Sequence, residues 1–286
     1  MIDFFVSSGA CPSNDLRDVL SWAAHHDFNV ELSPEMNPLS FEDARQVLLP
    51  TMMSTKISLH HYFPGPPEPF VMNLGHPSTC GRSVEHAKNI IDLCEVLKVP
   101  WYSVHAGYGI APRTDQLGED QSALERIPLE AATELFIDGL GQLLNHGKDR
   151  RVAVIMENNV VAAVNASGGV NDTYLFGDIE STRPILDHFG PEDLGILLDV
   201  AHLKVSSNVL GFDVLEMLDL IQDYVVALHV SENDGMADTN SKIDEDFWFK
   251  KHVHLLKNLR YVSLEVYLLE DDELRQQVEL LTSLFT

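Results

Sequence analysis

Hydrophobic and polar positions along this chain alternate between two regimes. Short apolar, β-branched runs are followed by longer stretches in which apolar side chains return every three or four positions. The short runs predict strands over 2–7, 29–32, 56–60, 101–105, 152–157, 194–199, 225–230 and 261–266. The intervening stretches predict helices over 15–27, 41–49, 83–98, 122–147, 179–189, 212–223, 246–258 and 271–285. Within 83–98, for example, Val84, Ala87, Ile90, Ile91, Leu93, Cys94 and Leu97 recur at helical spacing. Val214, Leu215, Leu218 and Ile221 do the same within 213–221.

Eight strand–helix units whose strands are apolar on both faces predict the α/β class, as a single (β/α)8 TIM barrel of parallel strands spanning 1–286 as one domain. An open doubly wound sheet would carry a glycine-rich phosphate loop after its first strand. Here that turn reads Ser7-Ser8-Gly9-Ala10-Cys11-Pro12, which is not such a fingerprint. The length of 286 residues suits one barrel, which typically takes roughly 250. Three loops after strands are long, 61–82, 106–121 and 158–178. Loops on that face of a barrel build the ligand site, so a covered pocket is expected there.

Four late runs carry a single acidic or imidazole side chain at the end: Met156-Glu157-Asn158, Leu198-Asp199-Val200-Ala201-His202, Leu228-His229-Val230 and Leu264-Glu265-Val266. A carboxylate closing an apolar run is expensive to bury alone. Arg150 and Arg151 lie too far back along the strand to neutralise Glu157. Barrel closure would bring Glu157, Asp199, His229 and Glu265 to one rim. Three carboxylates and one imidazole form a mixed hard and borderline donor set, suited to a divalent metal such as Mn, Mg, Co or Zn. His202, three residues past Asp199 and beyond the strand, could swing toward the same pocket or serve as a hydrogen-bonded loop histidine. Two earlier runs end in Leu59-His60-His61 and Val104-His105-Ala106-Gly107. Their histidines could orient a substrate or bind a further metal.

Charge narrows the partners. The chain has 19 Lys and Arg against 44 Asp and Glu, a formal net charge of −25. A nucleic-acid binder carries a basic stripe to neutralise phosphates, and the longest basic runs here are the pairs Arg150-Arg151 and Lys250-Lys251. Nucleic acid is therefore not an expected partner, and the acidity serves solubility. The three cysteines, Cys11, Cys80 and Cys94, are an odd number without a CxxC pair, which points to a reducing compartment. The segment Met1-Ile2-Asp3-Phe4-Phe5-Val6 lacks the basic region of a signal peptide. No apolar run approaches the ~18 residues of a membrane span. A cytoplasmic location without a membrane partner is the expectation.

Taken in chain order, Val104-His105-Ala106-Gly107, Met156-Glu157-Asn158, Leu198-Asp199-Val200-Ala201-His202, Leu228-His229-Val230-Ser231-Glu232-Asn233-Asp234-Gly235 and Leu264-Glu265-Val266 resemble the xylose-isomerase-like TIM-barrel superfamily. That superfamily includes ketose 3-epimerases, hydroxypyruvate isomerase, inosose dehydratase and endonuclease IV. The resemblance implies one divalent metal held by Glu157, Asp199, His229 and Glu265. It makes Glu157 and Glu265 the catalytic acid/base pair and His202 a substrate contact, while His60 and His105 resemble further histidines of the endonuclease branch and are read as remnants of it or as substrate contacts. The implied activity is a metal-dependent isomerase or epimerase of a carbohydrate, moving a proton through a metal-stabilised enediolate. A hydrolase of the endonuclease IV type and an inosose-dehydratase-like lyase are the alternatives. The endonuclease branch uses three zincs and needs an Asp-x-His after the seventh strand. Here Asp244 can stand for that aspartate, but Asp246 takes the histidine's place. Barrels of this sort often pair, so a homodimer is compatible with the resemblance. Lys204 and Arg113 could meet an anionic substrate or be simply solvated.

Overall fold

The eight apolar runs close on themselves. In a computed structural model, which describes residues 2–52, 55–166, 168–267 and 269–285, they form one closed parallel barrel. Position 167 of the expected 158–178 loop lies outside the described residues, as do positions 1 and 286 of the expected domain. The strands are β1 (Asp3–Ser7), β2 (Val30–Leu32), β3 (Ile57–His60), β4 (Trp101–His105), β5 (Ala153–Glu157), β6 (Gly195–Asp199), β7 (Val225–Val230) and β8 (Tyr261–Leu264). Each pairs with its successor, and β8 returns to β1 through the Asp3↔Tyr261 to Val6↔Leu264 register. The barrel expected from the sequence is thus the observed one.

The helices are α1 (Leu16–His26), α2 (Phe41–Thr51), α3 (Cys80–Leu97), α4 (Leu129–Arg150), α5 (Ile179–His188), α6 (Val200–Leu210), α7 (Val214–Ile221) and α8 (Asp271–Phe285). Three local expectations are corrected. The helix expected from 122 starts only at Leu129, because Pro128 stands directly before it and the residue preceding a proline avoids helical torsions. The helix expected over 246–258 is a 3-10 stretch, Trp248–Leu255, whose buried Phe249 and His252 lie three apart, the repeat of that tighter spiral. The segment after Asp199, read as loop, is the helix α6. Strand β6 runs straight into it, because the Asp199 carboxylate caps it by accepting from the His202 N–H at 2.7 Å.

Alternation along the strands sorts two cores. Val6, Val30, Ile57, Leu59, Tyr102, Val104, Val154, Met156, Ile196, Leu198, Leu228, Val262 and Leu264 belong to the large cluster shared with the helices. The residues between them point into the barrel. There Phe5, Ile155, Leu197, Ala227 and Tyr261 make a separate apolar cluster joined by Trp101. Trp101 stacks on Tyr261 with ring centroids 4.7 Å apart, and Phe5 meets Tyr261 edge-on at 5.6 Å. Two residues further along each strand the inward side chains turn polar. Ile155 is followed by Glu157, Leu197 by Asp199, Ala227 by His229, and Tyr261 by Ser263, then Glu265 just past the strand end. The barrel therefore has a dry aromatic floor and a polar upper layer. Phe5 is 2% exposed in that floor, so Phe5→Ala is expected to cost about 3–5 kcal/mol of stability from lost burial and the cavity left behind. Urea unfolding of the two proteins measures it. A loss below about 1 kcal/mol, the size of a surface change, would mean the floor repacks freely.

Candidate metal centre and active site

The polar layer is built around His229. Its ring is fully buried, and its Nε2 lies 2.6 Å from Glu31 Oε1. A carboxylate only accepts hydrogen bonds, so Nε2–H is the donor. Nδ1 then faces three other carboxylates: Glu157 Oε1 at 3.2 Å, Glu265 Oε2 at 3.3 Å and Asp199 Oδ2 at 3.9 Å. Nδ1 is buried without a hydrogen-bond partner, and so is Glu157 Oε2. Among the described residues, none of these four carboxylates pairs with a lysine or arginine. A lone-pair nitrogen ringed by carboxylate oxygens is a repulsive arrangement unless a proton or a cation sits among them. The donor set fits a hard or borderline divalent cation. Glu157, Asp199 and His229 each offer an atom within 4.8 Å of the others.

A second group shares Glu157. His60 Nε2 and His105 Nε2 lie 3.1 Å apart, and Glu157 Oε2 is 3.4 Å from the first and 3.2 Å from the second. His60 is held through Nδ1 by Ser103 Oγ at 2.8 Å. Burial, with the neighbouring histidines, keeps both rings well below the usual imidazole pKa, so they are neutral and offer nitrogen lone pairs. Expected as substrate contacts, His60 and His105 thus stand with Glu157 as a candidate ligand group of their own.

His202 sits in the first turn of α6, its Nδ1 2.9 Å from the Asn158 carbonyl and its Nε2 3.2 Å from Asp238 Oδ2. The aspartate that reaches it from the loop after β7 is Asp238. Asp244, expected there, is exposed. Two residues after Asp238 stands Asn240 rather than a histidine. Lys204 is engaged by Glu232 Oε1 at 2.5 Å and the Asn233 carbonyl at 2.6 Å. Arg113 is paired with Asp115 at the surface. Glu265 lies one residue past β8 and accepts from the Tyr267 hydroxyl at 3.1 Å. The four residues expected as ligands therefore converge, with His60, His105 and His202 around them. Glu31, Asp238 and Tyr267 join them unforeseen. Glu31 left one trace in the sequence, a lone acid inside the apolar run Val30-Glu31-Leu32. Asp238 and Tyr267 left none.

The chain matches a family described as "Xylose isomerase-like TIM barrel" over residues 22–284. No curated protein matches it. Among solved structures it is similar to the TTHB071 protein from Thermus thermophilus, soaked with ZnCl2, at 20% identity and a TM-score of 0.65, covering 99% of both chains. A D-tagatose 3-epimerase-like protein aligns at 19% identity and a TM-score of 0.68, again covering 99% of each chain. The apo 3-keto-D-glucoside 4-epimerase YcjR from E. coli aligns at 11% and 0.63, with the same coverage. At these identities the likeness establishes the fold. Among the described residues no helix is long and apolar enough to cross a membrane.

The cluster titrates as a unit. Burial alone would lower His229, but Glu265, Glu31 and Glu157 hold it well above the ordinary imidazole range. His202 is raised in the same way by Asp199, Asp238 and Glu157. Burial, helped by Asp238, Glu265 and Glu157 against the pull of His202, lifts Asp199 to about 7. A raised group holds its proton more tightly in the folded chain. Asp199 therefore stabilises less as pH climbs from about 4 to about 7. The histidine contributions are complete below about 6.5 and are lost as pH rises through their folded values. Below that point the depressed His60, His61 and His105 act in the opposite sense. The chelator-stripped protein is thus expected to lose thermal stability between about pH 6.5 and pH 9. Saturating Mn²⁺, taking the place of the protons, should flatten the decline. Melting curves across that range test it, and a stripped protein whose Tm holds or rises there contradicts the assignment.

Proposed function

This chain belongs to the xylose isomerase-like TIM-barrel family, and from that premise we propose a divalent-metal-dependent isomerase or epimerase acting on a carbohydrate or small hydroxy-carbonyl compound. The observation that carries the reading is the unpartnered Nδ1 of His229 facing Glu157, Asp199 and Glu265. The names of the epimerases that the fold resembles support sugar chemistry.

Glu157, Asp199, His229 and Glu265 would hold the metal, which when bound supplies a Lewis acid that acidifies the C–H next to a substrate carbonyl. The proton chemistry then belongs to the chain. Glu157 and Glu265 flank the same nitrogen from different strands, β5 and the end of β8, which suits removal of a proton on one side and its return on another. Their environments differ. Burial raises Glu157, whereas Glu265, which burial alone would raise, is brought down to about 2 by His229, His60 and His202. Two carboxyls driven apart in this way divide into the proton-holding and the proton-accepting partner. His202, fixed by Asn158 and Asp238, would orient the sugar, and the aromatic floor below would keep bulk water from the reacting carbons.

A second reading has its own observation. The His60, His105 and Glu157 group could hold a second cation, and two-metal sites suit hydrolysis of phosphate esters. Plasma mass spectrometry on the chain stripped and reloaded with Mn²⁺, followed by NMR of a panel of ketoses in D2O, separates the two. About one cation per chain, lost in a Glu157→Gln/Asp199→Asn double variant, is expected. So is solvent deuterium at the carbon beside a carbonyl, with exchange about 10²-fold slower or more in Glu265→Gln. Two cations per chain with phosphodiester cleavage and no deuterium uptake would overturn the isomerase reading in favour of the hydrolase.

A further inference from the structure

Glu31 has no exposed surface, yet it sits in the middle of a three-residue strand between Val30 and Leu32, both also fully buried. Its backbone neighbours on the two adjoining strands are Ser7 and Ser58. Among the described residues its only ion pair is with His229, at 2.6 Å, and its second oxygen, Oε2, is buried without a hydrogen bond. Burying a carboxylate this completely costs several kcal/mol even after relaxation. A side chain kept for packing would be better served by an apolar residue of the same volume. Something about His229 therefore requires an acceptor-only group on its Nε2.

We propose that Glu31 is the positioning residue of the metal centre, fixing the tautomer and ring plane of His229 so that the Nδ1 lone pair points at the cation. The inference rests on the metal-binding reading given above. Its physical basis is that an imidazole has two nitrogens and, when neutral, one proton. A carboxylate on Nε2 can only accept, so the proton resides there and Nδ1 is left as the donor atom to the metal. The short contact also makes the imidazole a better donor, the role that carboxylate partners play behind metal-bound histidines. Glu31 and the three metal-facing carboxylates thus stand on opposite nitrogens of one ring, and the ring cannot turn over without putting carbons where both nitrogens stood, losing the contact to Glu31 and the one to Glu157 together.

Glutamine in this place keeps the shape but can donate as well as accept, so it no longer dictates the tautomer. The test titrates the chelator-stripped full chain with Co²⁺, following the visible absorption, for the native protein and Glu31→Gln. The variant is expected to bind Co²⁺ about 10- to 100-fold more weakly. A native protein that binds Co²⁺ and a folded variant that binds it within about threefold would overturn the role of Glu31 while leaving the metal reading intact. A native protein that takes up no Co²⁺ would overturn both. Should the variant not fold, nitrogen NMR of the histidines in the native chain loaded with Zn²⁺ decides. The expected pattern for His229 is a protonated Nε2 and a metal-shifted Nδ1, and the reverse pattern overturns the inference.

Discussion

Everything at the mouth of this barrel follows from one constraint. Glu31, Glu157, Asp199 and Glu265 are brought together where water is scarce, and among the described residues no lysine or arginine answers them. Four negative charges at such range repel steeply in a medium of low effective dielectric. Among the described residues the cationic partners within reach are imidazoles: His229 at the centre, His202 on one flank, His60 and His105 on the other. The titration pattern reflects that deficit. Asp199 rises to about 7, His229 and His202 hold protons well above their usual range, and Glu265 is brought down to about 2. A folded chain does not gather carboxylates against such resistance to stabilise itself. The deficit has the sign that a bound cation would offset.

The barrel makes the gathering possible through strand periodicity. An inward side chain on one strand is level with an inward side chain on the next, and the register fixes which ones. Glu157 lies beside His105 and Leu197, and Asp199 beside His229, which lies beside Ser263. On β5, β6, β7 and β8 the apolar residue two positions earlier supplies the floor, so the same alternation that drives folding sets the height of the polar layer. Asp199 ties the site to the shell outside. One of its oxygens caps α6 at the His202 N–H, while the other faces His229. The turn that starts α6 thus delivers His202 to the site.

This division explains what could be read from residues alone. Glu157, Asp199, His229 and Glu265 were legible because each interrupts an apolar run at its end, where barrel topology gathers strand termini. Glu31 carries the same signature in Val30-Glu31-Leu32, but it sits inside a short strand, where an acid reads as a solvent-facing position until closure shows that the position points inward. Asp238 and Tyr267 reach the site from irregular backbone after β7 and β8, where no period exists to extrapolate. The helix α6 was hidden because its capping residue was already assigned as a strand end. The 3-10 stretch before β8 was hidden because three- and four-residue spacings are hard to separate over two turns.

The remaining tension is within the site, and Glu157 is where it lies. Its Oε1 faces His229 and its Oε2 faces the two neutral histidines, so one carboxylate borders both candidate ligand groups. Were the His60 and His105 group to hold a cation as well, both Glu157 oxygens would serve as ligand atoms and the acid/base work would fall to Glu265. Were only the His229 group to hold a cation, Glu157 Oε2 would stay buried beside His60 and His105. Burial raises Glu157 against the pull of His229 and His202, a direction that suits a group handling a proton. That direction, with Glu265 held low beside the same imidazole, is the difference in proton affinity on which the proposed transfer at carbon rests.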